Sequence, residues 1–298
     1  MFPIIPANSV TAASGNQEGI FGYGNNAGEV SMTNLVSNAG VVATDVTGVG
    51  TARNNIAACE YGGDKGIFGY GRIGSKVSMT NLVSNAGVVA TDVAGVGTAR
   101  YVLAACSFGE DKGIFGFGWD GSSYVGLTNL VSNAGVVATD VTAVGTGRQG
   151  LAATQYGGDK AIFGYGKISS EVSMTNLVSN AGVVATDVAG VGTARYVLAA
   201  CSFGEDKGIF GFGWDGSNTA ATNLVSNAGV VSSDTAGVGT GRTKLAACEF
   251  GGDKAIFGFG YDGSNLSMSN LVSNAGVVAS DVTGVGTDRQ ALAACSFN

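Results

Sequence analysis

The string Asn-Leu-Val-Ser-Asn-Ala-Gly-Val-Val occurs six times in this chain of 298 residues, starting at Asn34, Asn81, Asn129, Asn176, Asn223 and Asn270. The steps between copies are 47, 48, 47, 47 and 47 residues. A fixed period of this length marks a chain built by stacking one supersecondary unit, because a unit so short cannot bury its apolar face alone. A longer period lies on top of it. Val77 to Ser122 is identical to Val172 to Ser217, a step of 95 residues. That identity implies a recent duplication of a two-repeat unit, or a recombined or designed array.

Each repeat holds four short apolar segments. In the second they are Asn55 to Cys59, Gly66 to Gly71, Val77 to Val83 and Gly87 to Val93. They are rich in Val, Ile, Phe, Tyr and Thr, and are bounded by Gly, Asn, Ser or Asp, which are strand and turn signals. No segment carries a sustained helical period. Four strands in about 47 residues, six times over, predict an all-β, six-bladed β-propeller with four antiparallel strands per blade and essentially no helix. The 51 glycines recur at fixed repeat positions and follow no collagen period.

The stretch Arg100-Tyr101-Val102-Leu103-Ala104-Ala105, followed by Gly113-Ile114-Phe115-Gly116-Phe117-Gly118, resembles the kelch repeat. Gly116-x-Gly118 stands where that family has paired glycines, and the family's late Trp is missing. The resemblance covers almost the whole chain. It implies that the Ala-Ala strand lies innermost, where small side chains suit a converging axis. The repeats, with the opening Phe2-Pro3-Ile4-Ile5-Pro6-Ala7-Asn8-Ser9, are also similar to predicted structural proteins of environmental tailed phages. That similarity implies a virion-associated role.

Counting strands exposes a closure problem. The Ala-Ala segment occurs seven times, once at Ser9 to Ser14 and once at Ala291 to Phe297. We expect the C-terminal copy to supply the innermost strand of the first blade, beside Ile20 to Tyr23, so that both chain ends meet in one sheet and no edge stays open. Residues 1–17 are then an N-terminal arm or displaced first strand, and 18–298 the propeller. In the alternative the N-terminal copy closes blade one.

The net charge of −7 and the absence of a basic stripe disfavour nucleic acid as a partner. No apolar run is long enough to span a membrane as a helix. The start lacks a basic region and an unbroken apolar core, so a virion or host-cytoplasm location is expected ahead of classical secretion.

Five cysteines, Cys59, Cys106, Cys201, Cys248 and Cys295, share one repeat position, which Thr154 and Ser14 hold elsewhere. With no His and no CxxC spacing, they read as small core residues, with neither zinc nor another metal or cofactor implied. The absence of His also removes Ser-His and Cys-His pairs, and no carboxylate pair stands out from the repeat. Gly-x-Gly lacks the third glycine and the helix of a dinucleotide site. The Asp-Lys pairs, such as Asp64-Lys65, read as turn chemistry.

Two rings of charge recur. Arg53, Arg100, Arg148, Arg195, Arg242 and Arg289 each follow an Asp by eight residues: Asp45, Asp92, Asp140, Asp187, Asp234 and Asp281. The structural reading is a charge-assisted hydrogen bond that fixes blade spacing. The functional alternative is a cationic mouth for an anionic sugar or carboxylate. The repeats diverge most after Gly-x-Gly, where a rigid scaffold carries function. There the third, fifth and sixth repeats present Trp119-Asp120, Trp214-Asp215 and Tyr261-Asp262, each followed by Gly-Ser. An aromatic face beside a carboxylate can stack on a sugar ring while the carboxylate takes hydroxyls. The expected function is therefore non-enzymatic, multivalent recognition of a glycan or of a cell-surface or virion protein. An intracellular protein-interaction module and a ligand-free spacer or designed repeat are the alternatives.

Overall fold

A strand that is apolar at every position belongs between two layers, not on a half-wet sheet. Ile-Phe flanked by glycines is such a strand in every repeat. The computed structural model, which describes residues 17–142 and 144–297, buries it on both faces. Among the described residues the chain is all-β, with no helix. It forms six sheets of three antiparallel strands, one per repeat, and one small extra hairpin.

In unit II the inner strand Ala57–Tyr61 pairs with the middle strand Lys65–Gly69, which pairs with the outer strand Thr80–Val83. Units III, IV, V and VI repeat this order from inner strands Ala104–Phe108, Ala152–Tyr156, Ala199–Phe203 and Ala246–Phe250. Unit I takes its inner strand from the other end of the chain: Ala293–Phe297 runs antiparallel to Glu18–Asn25, with Ile20 opposite Cys295. The N-terminal Ala-Ala copy, Ser9 to Ser14, lies outside the described residues.

Each inner strand packs on the inner strands of both neighbouring units, in an order that returns from unit VI to unit I. The hydrophobic core lies between the sheets. One cluster, for example, joins Ile114 and Phe117 of unit III to Leu151 and Phe163 of unit IV. Six glycines set the spacing. A methyl added at Gly22, Gly69, Gly116, Gly164, Gly211 or Gly258 would come within 2.6–2.8 Å of the tip of a Phe ring on the next unit. The contact from Gly258 to Phe21 completes the circuit.

A second circuit is made by the backbone. The residue two beyond each Arg sits at positive φ: Asn55, Val102, Gly150, Val197, Lys244 and Ala291, at 48–64°. Each donates its N–H to the carbonyl of its counterpart in the preceding unit, at 2.7–3.0 Å, and Asn55 donates to Ala291. Left-handed backbone is costly for a β-branched residue, so Val102 and Val197 hold it only because both neighbours constrain them.

The expected fourth strand is reduced. In unit I, Val36 bridges Val42 and Thr33 bridges Val46. The residue numbers of these pairs sum to 78 and 79, so one extra residue bulges out between them. The Asn34 side chain fills the gap, its amide donating to the Ala43 carbonyl and to Asp45 Oδ1, both at 2.9 Å. The same Asn interrupts the fourth segment in every unit. Each sheet therefore has three continuous strands and a fourth segment held by two bridges.

Gly116→Ala should push on the Phe163 ring and destabilise the fold by about 1–3 kcal/mol, the usual cost of overpacking. Gly28→Ala, where an added methyl meets nothing within 4 Å, should change stability by less than about 0.5 kcal/mol. Urea midpoints of the two variants against the parent check this.

Candidate functional site

The Arg ring is wholly internal: all six side chains have 0% exposure. No guanidinium faces solvent, so the ring forms no cationic mouth. Each Arg also finds a different Asp from the one eight residues before it. Arg53 approaches Asp92 at 3.7 Å, 39 residues later, and Arg289 approaches Asp45, across the two chain ends. Arg53 Nε donates to the Tyr70 carbonyl at 2.9 Å and Nη2 to Asn81 Oδ1 at 2.6 Å. Its guanidinium lies 4.4 Å from the ring centroid of Tyr23, in the preceding unit. All six arginines stack in this way, at 4.1–4.4 Å.

The stacked aromatic is the middle residue of Gly-x-Gly, itself at φ 62–64°. Thr51 donates both its N–H and its hydroxyl to Asp92. Burial raises the Asp92 pKa, but the hydrogen bonds from Thr51 and Asn81 and the Arg53 charge outweigh it, and the carboxyl ends below its ordinary value. Burial lowers Arg148, Arg242 and Arg289 to about 10, which leaves them charged at neutral pH.

The cysteines sit between units, where Cys248 Sγ faces Gly19 and Cys59 Sγ faces Gly113. Burial pushes the Cys248 thiol up to about 12, far from a thiolate. Among the described residues no group of three His, Cys, Asp or Glu side chains is arranged to hold a metal ion.

Two cavities, of about 50 and 90 Å³, are each lined by residues of all six units. These hold a few waters at most, not a sugar ring. The smaller one is lined by the cysteine position and residues that follow it, among them Glu60, Gln155 and Ser202. Glu249 accepts a hydrogen bond from Ser202 Oγ at 2.6 Å. Burial, reinforced by the negative charges of Glu60, Asp253 and Glu205, lifts its pKa to about 8 against that bond.

The loops after Gly-x-Gly are separated by their unit of origin. Trp119 folds onto Tyr124 of its own loop, centroids 4.7 Å apart. Asp120 caps the same loop, accepting from the backbone of Ser122 and Ser123 and from both hydroxyls, which brings its pKa to about 2. Asp215 and Asp262 cap theirs through Oδ1 alone, from Ser217 and Ser264.

Units V and VI are adjacent, and both carry an aromatic at this position. Between them opens a cleft of about 360 Å³, lined by Tyr196, Trp214, Asn218, Thr243, Lys244, Tyr261 and Asp262. Trp214 is 37% exposed. The cleft thus unites three of the six candidate residues, Trp214, Tyr261 and Asp262, and leaves Trp119 and Asp120 two units away. Asp215 is not in its lining.

Tyr196, Asn218 and Lys244 were missed by sequence reasoning. The available signal was that the fifth and sixth repeats are the one neighbouring pair that both bear an aromatic after Gly-x-Gly. A larger hollow of about 500 Å³ lies at Phe108, Leu130 and Val136. Its Lys112 is already paired with Asp111, and its Ser132 hydroxyl accepts two backbone N–H groups of its own turn, so it offers little polar chemistry to a ligand.

No family model matches this chain, and no curated protein matches it.

The Glu249 pKa carries a sign. Between the ordinary carboxyl value near 4.3 and about 8, the folded state holds a proton that the unfolded state has released. This contribution to stability is complete below that range and is lost as pH rises to about 8, an effect of a few kcal/mol. Thermal melts from pH 5 to 8 should show the decline, and Glu249→Gln should flatten it.

Proposed function

We propose that the six sheets are the blades of a closed six-bladed β-propeller, and that the chain is a glycan-binding protein whose principal subsite is the cleft between units V and VI. Three circuits support the propeller: the packing of inner strands, the glycine–phenylalanine contacts and the backbone hydrogen bonds through the left-handed residues. All three return from unit VI to unit I.

The observation that carries the binding reading is the meeting of Trp214, Tyr196 and Tyr261 around one opening, with Asp262 at its rim. A pyranose ring presents C–H groups on its faces and hydroxyls on its edge. Aromatic walls match the faces through apolar contact, and a carboxylate oxygen accepts from the edge hydroxyls. At about 360 Å³ the cleft falls within the usual range for small-ligand pockets. Its lining contains one carboxylate, Asp262, whereas glycoside hydrolysis uses two facing each other, so the geometry favours binding over bond cleavage. The loop of Trp119 supplies a second, weaker subsite two units away, and multivalency comes from using both. On the virion-associated role expected from the repeats and the opening Phe2 to Ser9, bacterial surface polysaccharides are the first class to test.

A glycan array probed with the parent, Trp214→Ala and Trp119→Ala/Trp214→Ala tests this. Binding by the parent should fall at least about tenfold in the single variant, the usual weight of one buried aromatic contact, and further in the double. Equal binding by all three proteins, with unchanged melting temperatures, removes the aromatic-loop reading.

A further inference from the structure

Twelve of the fifteen Lys and Arg residues lie in ion pairs within the molecule. Of the other three, Lys76 donates to the Asp120 carbonyl. Arg72 donates to the Gly74 carbonyl and stacks on Tyr101. Lys244 is different. Among the described residues it forms no ion pair, and its Nζ lies 5.6 Å from the Tyr261 ring centroid inside the aromatic cleft. Solvent reaches the side chain, yet the surrounding walls desolvate the amine enough to lower its pKa.

The position is also unusual for a lysine. It is one of the six left-handed residues of the backbone circuit, at φ 54°. Its counterparts are Asn55, Val102, Gly150, Val197 and Ala291, none of them cationic. Lys244 therefore brings to this one boundary a charge that its counterparts lack and that, among the described residues, no carboxylate pairs with.

We propose that the cleft selects a carboxylated pyranose, a uronic-acid-type residue of an acidic polysaccharide, with Lys244 holding the carboxylate. The inference rests on the glycan reading of the same cleft. The lining carries one cation, Lys244, and one carboxylate, Asp262, and these opposite charges give the ligand a direction. The carboxylate goes to Lys244 and away from Asp262, and the ring face lies on Trp214 and Tyr261. The hydroxyl edge turns to Asp262, whose Oδ1 is engaged by Ser264, leaving Oδ2 to accept from the sugar. Partial desolvation strengthens the ammonium–carboxylate attraction relative to open water. A neutral sugar would use the aromatic walls and leave the ammonium unanswered.

Calorimetric titration with tetragalacturonate and with its fully methyl-esterified form separates the two claims, since the ester keeps the ring and removes the charge. The parent should bind the acid about tenfold or more tightly than the ester at low salt. Lys244→Asn, which copies the residue that unit II carries at the equivalent left-handed position, should bring the acid down to the level the parent shows for the ester. Lys244→Gly, which copies Gly150, serves if the Asn variant melts early. Trp214→Ala should weaken both ligands. Equal affinity of the parent for acid and ester, or a full acid preference in both Lys244 variants, overturns the carboxylate inference and leaves the cleft standing. Binding of both ligands undiminished in Trp214→Ala overturns the cleft itself. A parent that binds neither ligand overturns the carboxylate inference as well.

Discussion

The buried arginine is the interaction on which the other features of this molecule depend. A guanidinium with no exposed surface is tolerated only when its charge and its donors are answered. Here the answers come from four directions. The aromatic of the preceding unit offers its face, and the Gly-x-Gly carbonyl of the Arg's own unit accepts from Nε. The outer-strand Asn accepts from Nη2, and the Asp of the fourth segment supplies the counter-charge. Each unit is thus tied at its beginning and its end and pressed against its neighbour by one side chain. The arrangement also accounts for the cost of holding an aromatic at positive φ. The turn brings the ring under the next unit's guanidinium and its carbonyl within reach of Nε of its own unit's Arg, and the following glycine, at φ 103–116°, lets the chain leave.

The same network explains why one unit can be assembled from both ends of the chain. Arg289 donates to the Tyr23 carbonyl and to Asn34 Oδ1, approaches Asp45 and stacks on Phe259. Those are the partners, position for position, that Arg148 finds in Tyr165, Asn176, Asp187 and Phe117. The junction between the termini carries the same four contacts as those of Arg53, Arg100 and Arg148, whereas Arg195 Nε and Arg242 Nη2 find no hydrogen-bond partner among the described residues. A scaffold fixed in this way can carry different loops after Gly-x-Gly at little cost to stability, because those loops contribute little to the arginine network. A cleft can then open at one boundary, as it does between Tyr196, Trp214, Lys244 and Tyr261, while the other boundaries keep the frame.

Much of this was legible in the sequence, because a repeat reports the equivalence of positions directly. The β class, the apolar Ile-Phe strand and the Arg and Asp rings follow from period and residue type, and the inner place of the Ala-Ala strand from the kelch resemblance. The partners of the rings did not follow. Asp45 lies eight residues before Arg53, yet its charge faces Arg289, since spacing along a chain says nothing about which copy of a unit lies alongside. The fourth strand was over-read for a related reason. Gly-Val-Val-Ala-Thr-Asp-Val has strand composition, but the Asn34 side chain competes for the carbonyl that a continuous ladder would need. Lys244 was invisible as a site residue because it occupies a scaffold position filled elsewhere by Asn, Val, Gly and Ala. Its meaning comes from the neighbouring unit that supplies Trp214.

The central claim, that the arginine junction between the chain ends is equivalent to the internal one at Arg148, is tested most directly by comparing two substitutions in equilibrium unfolding. Arg148→Met removes an internal junction and Arg289→Met the terminal one, each leaving an apolar side chain of similar length. Breaking a buried charge network of this kind costs about 3–5 kcal/mol. The account predicts that both variants lose this much, and that the two losses agree within about 1 kcal/mol. A parent-like Arg289→Met beside a strongly destabilised Arg148→Met would contradict it.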